Sequence, residues 1–486
     1  MSYKHGVYSE KSAYSGGFGK KAIGTIPVYI GTAPIHQLNT AGAADFDYSK
    51  YINKPMLINS LQDARKKIGY STDFESFTLC EAVAAHFNNG VEAVGPIIVI
   101  NIFNPANVES SNSTETITFT GVTGNKVGYI TDSKAAIENI TIGSLTTGDY
   151  KLSYENGKIK VNVTKEGYSS TTTTASFARV DTSDTAISVE AFTKGLEAMD
   201  ICEVATGEIP NILAAPKYSK KPAYYVKMIE KAVDKISGKW NFTVVSDIVA
   251  DSTVNTVDKA IAWKETNGHD SKFDKVCFPK VSYNGAKYHL STMAVVTMQS
   301  VDTDADGVPY ISPSNKVIYA DATILDDGTE ILLTEPQANK LNEAGITSVN
   351  IIRGKHRLWG VHNANYSYAN ESNIDPDEQQ DAGIRMGLYL MNKMQYDYID
   401  TIDTPINRKD IDGIISKAQQ WLNGLVNDGA LLYGTVAFNS ASNPADNLVV
   451  GDFVFDVQHT TAPNGKSLTF RLQYTEAGLA TLTQGE

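Results

Sequence analysis

The chain has 486 residues, of which 42% are hydrophobic and 20% charged, and its formal net charge is −13. This length is enough for two to four domains with packed cores. The acidic balance, without any Lys/Arg-rich tract, argues against a nucleic-acid-binding surface. Cys80, Cys202 and Cys277 are too few and too far apart for a disulfide framework or a CxxC metal site, so we expect buried, reduced thiols.

The first residues, MSYKHGVYSEKSAYSGG, are polar and rich in Gly, Ser and Tyr. They predict an extended arm over residues 1–24 and not a signal peptide. The longest apolar stretch, AVGPIIVINIF, is too short to span a bilayer. We therefore expect a protein made in the cytoplasm, without direct membrane insertion.

An α/β pattern occupies 25–105 and resumes over 186–360. IPVYIGTAP and KPMLINS predict strands, while LQDARKKIGY, capped by Ser60, and FTLCEAVAAHFNNG predict helices. The continuous apolar run PIIVINIF is typical of a strand covered on both faces. NILAAP, KPAYYVKMIEKAVDKIS and NFTVVSDI then follow as strand, helix and strand. Together these segments predict one discontinuous α/β body domain.

Residues 106–185 have a different composition, rich in Thr, Ser and Gly, with short alternating runs such as KLSYENGKIKVNVT. The ENGK sequence between two alternating runs is a hairpin signal. We expect this segment to form a small, inserted all-β domain at the molecular surface.

The last part of the chain, 361–486, predicts a further domain that begins with two helices, PDEQQDAGIRMGLYLMNKMQYDYID and RKDIDGIISKAQQWLNGLVNDG. An apolar stripe follows one face of the second helix, and Gly429 suits its end. A strand in ALLYGTVAFN is followed by two alternating strands, 448–458 and 467–475. Their apolar faces are formed by Phe453, Phe455 and Val457, and by Leu468, Phe470, Leu472 and Tyr474.

No motif in the chain predicts catalysis, a cofactor or a metal. Asp302, Asp304 and Asp306 of DTDADG match the start of an EF-hand loop, but Pro313 stands where a bidentate Glu is required, so a charged surface turn is the better interpretation. GKS at 465–467 lacks the first P-loop glycine and precedes a predicted strand, not a helix. His356 and His362 are expected to pack or face solvent.

The order of features resembles that of contractile phage-tail sheath proteins, a family that includes the sheaths of R-type bacteriocins and related injection machines. HGVYSEKS is similar to the opening of sheath arms, and TIPVYIGTAP, NKPMLINSLQDARKKIG and TLCEAVAAHFNNGVEAVGPIIVINI resemble the blocks that follow it. STMAVVTMQSVDTDADGVPYISPSNK and LNEAGITSVNIIRGKHRLWGVHNA continue the likeness. The stretch from WLNGLVNDG to FRLQYT resembles the family's C-terminal signature.

This resemblance implies a structural subunit that polymerises helically around an inner tube and contracts to drive the tube through a cell envelope. The implied partners are other copies of the chain, the inner tail tube protein, and baseplate and tail terminator proteins. The implied location is a virion or phage-tail-like particle assembled in the bacterial host cytoplasm; phage and headless bacteriocin stay open.

The resemblance also implies two kinds of contact residue. The N-terminal arm and a C-terminal strand are expected to complete sheets in neighbouring subunits. The residues expected to make these strand contacts are Val7, Tyr8, Phe453, Phe455, Val457, Leu468, Phe470 and Leu472. A helix near the C-terminus is expected to touch the tube, through Arg408, Lys409, Asp410 and Lys417; the alternative is that these four are solvated residues of a packed helix.

Two other functions are compatible with the composition. An α/β enzyme acting on carbohydrates or nucleotides, with a β accessory domain, requires a ligand pocket at the carboxyl ends of its strands. A surface-layer protein or adhesin requires export, for which the N-terminal residues carry no recognisable signal.

Overall fold

The computed structural model describes residues 24–482, except 41, 44, 90–92 and 184. Val7 and Tyr8 of the predicted arm lie outside the described residues. The described helices are α1 (Leu61–Lys67), α2 (Thr78–Phe87), α3 (Val189–Glu197), α4 (Cys202–Thr206), α5 (Pro222–Asp234), α6 (Val257–Thr266), α7 (Leu290–Asp304), α8 (Glu335–Glu343), α9 (Asp381–Asp397), α10 (Arg408–Asn427) and α11 (Ala445–Val450).

The described strands are β1 (Pro27–Gly31), β2 (Pro55–Ile58), β3 (Ile97–Asn101), β4 (Ser113–Thr118), β5 (Thr120–Val122), β6 (Asn125–Ile130), β7 (Ala135–Ile142), β8 (Tyr150–Glu155), β9 (Lys158–Val163), β10 (Thr172–Arg179), β11 (Ile212–Ala214), β12 (Thr243–Asp247), β13 (Asp274–Cys277), β14 (Lys280–Tyr283), β15 (Ala286–Tyr288), β16 (Ala322–Ile324), β17 (Ile346–Ile352), β18 (Lys355–Trp359), β19 (Leu431–Ala437) and β20 (Asp456–Thr461).

An eight-stranded mixed sheet forms the centre of the molecule, in the order β18-β17-β13-β12-β11-β1-β3-β2. Its inner strands run parallel, and β2 and β18 are antiparallel edge strands. Every residue of β1, β3 and β12 is buried, as continuous apolar strands require when both sheet faces are covered. Helices α2 and α7 pack against β1, β11 and β12, and α3 and α5 against β1 and β12, so the two helix pairs cover opposite faces.

The local predictions in this region are confirmed. Ser60 caps α1, its hydroxyl accepting a hydrogen bond from the Asp63 N–H at 3.1 Å. All three cysteines are buried and free of disulfides. The chain is a mixed helix-and-sheet protein, as expected. No helix in the described part of the chain is both long and apolar enough to cross a membrane.

The segment 113–179 forms two small antiparallel sheets, β4-β10-β7 and β5-β6-β9-β8. Their inner faces share a separate apolar cluster that includes Ile117, Ile159 and Phe177. The predicted hairpin is present between β8 and β9, where Asn156 and Gly157 have φ angles of 53° and 77°. Positive φ at both turn residues explains the Asn-Gly pair. The domain bounds 106–185 stay a prediction.

Two buried ion pairs attach α9 to the body. Both terminal nitrogens of the Arg385 guanidinium donate to the Asp302 carboxylate at the end of α7, and the Thr25 hydroxyl donates to the same carboxylate. Lys275 of β13 pairs with Asp381 at 2.8 Å. The interpretation of DTDADG as a charged surface turn is therefore wrong for Asp302, which is fully buried because Arg385 neutralises it.

Candidate assembly interface

Helix α10 and the β19-β20 pair form the core of the C-terminal region. The predicted apolar stripe is confirmed: Ile411, Ala418, Leu422 and Leu425 are buried. The helix lies so close to β19 that a Cβ added to Gly434 would stand 3.1 Å from the Cβ of Leu422. Helix and strand thus form one packed unit.

The structure corrects the predicted strand over 448–458. Residues 445–450 form α11, which ends at Gly451 in the left-handed conformation with φ 92°, and the strand begins only at Asp456. Asn443 explains the difference, because its side-chain amide accepts from the Val454 N–H and donates to the Val454 carbonyl, both at 2.8 Å. These bonds satisfy the backbone that a longer strand would have paired.

The apolar residues before and in β20 line a cavity of about 580 Å³. Phe453, Phe455 and Val457 line it, and side chains from α9, α10 and β19, including Met394, Ile414 and Val436, complete the wall. Phe455 also contacts the ring of Phe438, with centroids 5.2 Å apart. The three predicted contact residues therefore converge on one space, and β20 pairs with β19 of its own chain.

Asn464 attaches the chain to the body just after β20. Its side chain accepts from the Ser312 N–H at 2.9 Å and donates to the Tyr310 carbonyl at 2.9 Å. Its backbone N–H and carbonyl bond to the side-chain amide of Gln380, both at 3.0 Å. Lys466 adds a salt bridge to Glu371 at 3.3 Å. These contacts set the point from which the following residues leave the body.

Residues 467–475, here called the C-terminal segment, are exposed and belong to no helix or strand. Leu468, Phe470, Leu472 and Tyr474 are 84%, 82%, 94% and 80% exposed. Within the described part of the chain, residues 467–474 donate or accept no hydrogen bond and pair with no strand. An alternating apolar segment with free backbone groups is the form that a strand has before it joins another sheet.

The predicted tube-contact residues lie in the first half of α10. Asp410 is engaged in a capping box, accepting from the Asn407 N–H at 2.9 Å. Arg408 is exposed and pairs with Asp412 at 2.9 Å, and Lys417 lies 5.1 Å from the ring centre of Tyr398. Asp410 thus has a structural role, whereas Arg408 and Lys409 present their charges to solvent.

The carboxyl end of β12, where the enzyme hypothesis needs a pocket, is filled by buried polar side chains. Asp247 accepts from the Ser291 N–H at 3.0 Å, and Glu81 accepts from the His289 N–H at 2.6 Å and from its Nδ1 at 2.8 Å. The two carboxylates satisfy N–H groups at the start of α7, where the helix dipole favours negative charge. Burial raises the pKa of Glu81, but the His289 charge and hydrogen bonds, with Lys280, bring that pKa below its usual value.

A second buried cluster contains Ser246, His269 and Asp274, residue types that also occur in nucleophilic active sites. Here the Ser246 hydroxyl donates directly to Asp274 at 2.7 Å, and the His269 ring is stacked on Tyr225 with centroids 3.6 Å apart. All three members are buried, so substrate has no access to the serine. The sequence gives no signal for this cluster, because its members come together only in the folded sheet.

Asp274 leads to a prediction about stability. Burial raises its pKa to about 7, against the bond from Ser246, whereas an unfolded aspartate has a pKa of about 3.9. Between these values rising pH ionises the unfolded chain first, so the native state loses roughly 4 kcal/mol of stability. We expect Asp274→Asn to unfold at higher denaturant concentration than the parent at pH 8, with the difference shrinking toward pH 4. A pH-independent difference in urea unfolding would contradict this prediction.

Comparison with known proteins gives a consistent result. No family model matches the chain. The tail sheath protein of Burkholderia phage BcepMu is 24% identical over 480 residues, covering 94% of this chain and 93% of that protein. The tail sheath protein of Escherichia phage P2 is 24% identical over 299 residues, covering 59% of this chain and 69% of its own.

Solved structures share the fold at low sequence identity. A chain of the anti-feeding prophage baseplate has a TM-score of 0.57 and 13% identity, covering 98% of this chain and all of its own. The sheath complex of an extracellular contractile injection system in its contracted state has a TM-score of 0.53 and 12% identity, with 98% of this chain and 100% of that chain covered.

These relatives are named as sheath proteins, which are structural components. Their names therefore lend no support to the enzyme hypothesis. Similarity over nearly the whole length and a shared fold therefore lead to one conclusion: the chain resembles tail sheath proteins in sequence and chains of contractile injection systems in fold.

Proposed function

We propose that this chain polymerises helically around an inner tube by lending the C-terminal segment to a neighbouring copy, and that contraction of the lattice drives the tube through a cell envelope. The observation that carries the proposal is the exposed alternation of Leu468, Phe470, Leu472 and Tyr474 beyond the attachment at Asn464. A monomer in water gains nothing from displaying four large apolar side chains on an unpaired strand.

The outer edge of β20 is the acceptor that best suits this segment. Within the described residues β19 and β20 form a two-stranded sheet to which no third strand is added, and such a pair gains stability from further strands. At about 3.4 Å per residue the C-terminal segment spans roughly 30 Å, longer than β20. A strand added there would place alternate side chains on the face that carries Val436 and Val457, at the cavity.

This mode of attachment explains an open-ended polymer. The surface that gives the strand differs from the surface that receives it, so every added subunit again offers both. A backbone ladder also tolerates a change of angle between subunits while its hydrogen bonds persist. Contraction then moves the body sheets as rigid units linked by extended strands. A small free-energy difference per subunit, repeated along the lattice, supplies the work.

The N-terminal arm, through Val7 and Tyr8, is a second strand donor in this proposal. The partners are the inner tail tube protein and, at the two ends of the sheath, baseplate and tail terminator proteins. The β-rich segment 106–185 is proposed as a domain that faces outward, where an insertion disturbs no lattice contact. The subunits assemble in the host cytoplasm and function in a phage tail or a tail-like particle.

Helix α10 is proposed to face the tube through the exposed charges of Arg408 and Lys409. We expect the double variant Arg408→Glu and Lys409→Glu to form sheaths that lack tubes, because reversed charges repel a complementary surface, most strongly at low salt. The matched control is Lys151→Glu with Lys158→Glu, both exposed in the β-rich segment. The fraction of tube-filled sheaths in electron micrographs is the measurement, and equal fractions for the two double variants would contradict this contact.

The proposed function itself is tested by negative-stain electron microscopy of the purified full-length chain over a range of concentrations. We expect long cylinders that appear above a critical concentration. A chain that stays as monomers or small closed oligomers at every concentration and salt condition would overturn the proposal.

A further inference from the structure

The outer edge of β19 is occupied by a side chain of α10. The Nε2 of Gln419 donates to the Gly434 carbonyl at 2.9 Å, and its Oε1 accepts from the Val436 N–H at 3.2 Å. The opposite edge of β19 pairs with β20. The Gln419 side-chain amide, here called the edge amide, therefore stands where a further strand would run.

The pattern of these bonds imitates a strand residue. In an extended chain the carbonyl of one residue and the N–H two positions later point from the same edge, and one residue of an added parallel strand bonds to both. A primary amide offers one acceptor and a donor, as that residue does. Gly434 and Val436 thus make with the edge amide the two bonds that they would make with an incoming backbone.

The covering of another sheet edge is different in kind. The outer edge of β18 is covered by backbone: the Asn315 N–H donates to the Leu358 carbonyl at 2.6 Å, and the Leu358 N–H donates to the Lys316 carbonyl at 2.9 Å. Backbone that covers a sheet edge can be displaced only if the chain refolds locally. A side chain leaves by a change of rotamer, so the β19 edge is covered in a way that can be reversed.

The edge amide also has a second partner that remains after release. Its Nε2 donates to the Asn423 Oδ1 at 2.9 Å, one turn further along α10, and Gln419 is half-buried, at the margin of the packed helix face. A rotation away from β19 therefore leaves the amide hydrogen-bonded to Asn423 and to solvent. The buried apolar residues of α10 are Ile411, Ala418, Leu422 and Leu425, and Gln419 is not among them.

We propose that Gln419 guards the β19 edge in the free subunit and yields it, on assembly, to a backbone strand from another copy of this chain. The strand is the N-terminal segment around Val7 and Tyr8, since the cavity beside β20 suits the C-terminal segment. The guard limits pairing of an exposed edge with wrong partners, and the exchange replaces two hydrogen bonds by two of the same kind. This inference rests on the proposed function.

The test compares Gln419→Met with Gln420→Met in the full-length chain. Methionine matches the length of glutamine but cannot bond to the edge, and Gln420 is the exposed neighbour on the same helix. Loss of two hydrogen bonds of ordinary net strength favours the open edge by roughly tenfold. We expect Gln419→Met to shorten the lag of assembly, followed by light scattering, by about that factor, and Gln420→Met to behave as the parent.

Hydrogen exchange tests whether an uncovered β19 edge is the cause of the faster assembly. In unassembled protein the Val436 amide is expected to exchange faster in Gln419→Met than in Gln420→Met, and in cylinders both variants are expected to protect it. Gln419→Glu with Gln420→Glu as its control repeats the comparison if the methionine variant fails to fold, since a carboxylate cannot donate to Gly434. Equal or slower assembly of the Gln419 variants would overturn the guard, whereas failure of the parent chain to assemble would overturn the proposed function.

Discussion

Replacement of Leu468, Phe470 and Leu472 by serine is expected to abolish assembly into cylinders while the subunit itself folds normally. These side chains are almost fully exposed in the subunit, so their loss removes no contact from its core. If they become buried in a neighbour, each contributes roughly 1.5–3 kcal/mol to the interface. Three such losses add up to roughly 4.5–9 kcal/mol, which is comparable to the binding free energy of about 8.2 kcal/mol that corresponds to a micromolar dissociation constant.

The matched control replaces the other face of the same segment, with Thr469→Ser, Arg471→Ser and Gln473→Ser. Both triple variants keep the backbone groups that form the ladder, and they differ only in which face is changed. Pelleting and electron microscopy measure assembly, and urea unfolding of the dilute subunit measures stability. Equal loss of assembly in the two variants would show that burial of the apolar face is not the driving force. If the variant with serine on the apolar face forms normal cylinders, the C-terminal segment is not part of the interface.

The second large effect is expected from Arg385→Met, which leaves the Asp302 carboxylate buried without its counter-charge. Asp302 is fully buried and Arg385 is 5% exposed, so water cannot replace the lost partner. Breaking such a pair costs about 3–5 kcal/mol. Because Asp302 lies in the last turn of α7 and Arg385 lies in α9, we expect the C-terminal region to separate from the body at lower denaturant concentration than in the parent.

An exposed pair supplies the comparison. Lys194 and Glu190 on α3 lie 2.8 Å apart with most of their side-chain surface in water, and Lys194→Met is expected to leave the free energy of unfolding almost unchanged, because water screens the pair. Asp302→Leu in the Arg385→Met background is expected to restore part of the stability, since it removes the unpaired charge. A loss below about 1 kcal/mol for Arg385→Met alone would mean that solvent reaches the site.

Several features of the fold were predictable because they depend on neighbouring residues alone. The hydroxyl of Ser60 reaches an N–H three residues along, and Asn156-Gly157 turns the chain within a hairpin. The apolar stripe of α10 follows from the helical repeat. The end of the helix follows from Gly429, which adopts the left-handed conformation with φ 78° just after it. In each case the geometry of a few consecutive residues decides the structure, so no distant partner can change the outcome.

The predictions from sequence were wrong where a distant or competing hydrogen-bonding partner determines the local structure. The alternation before β20 favoured a strand, but Asn443 bonds to Val454 and α11 forms ahead of it. Asp302 looked like a turn residue because nothing near it in sequence indicates Arg385, which lies 83 positions away. The Gln419 contact with β19 was likewise invisible, since a polar residue on an amphipathic helix normally faces solvent.

The sequence by itself determined the mixed helix-and-sheet class, the alternating C-terminal segment and, through the order of its motifs, the likeness to contractile tail sheaths. These properties depend on local periodicity and on blocks of residues that are read in one direction along the chain. Only the tertiary structure decided which polar groups are buried together, which strand edges are covered, and that the C-terminal segment finds no partner within its own described chain. The physical reason is that burial, pairing and edge coverage depend on distances between residues far apart in sequence, and those distances exist only once the chain has folded.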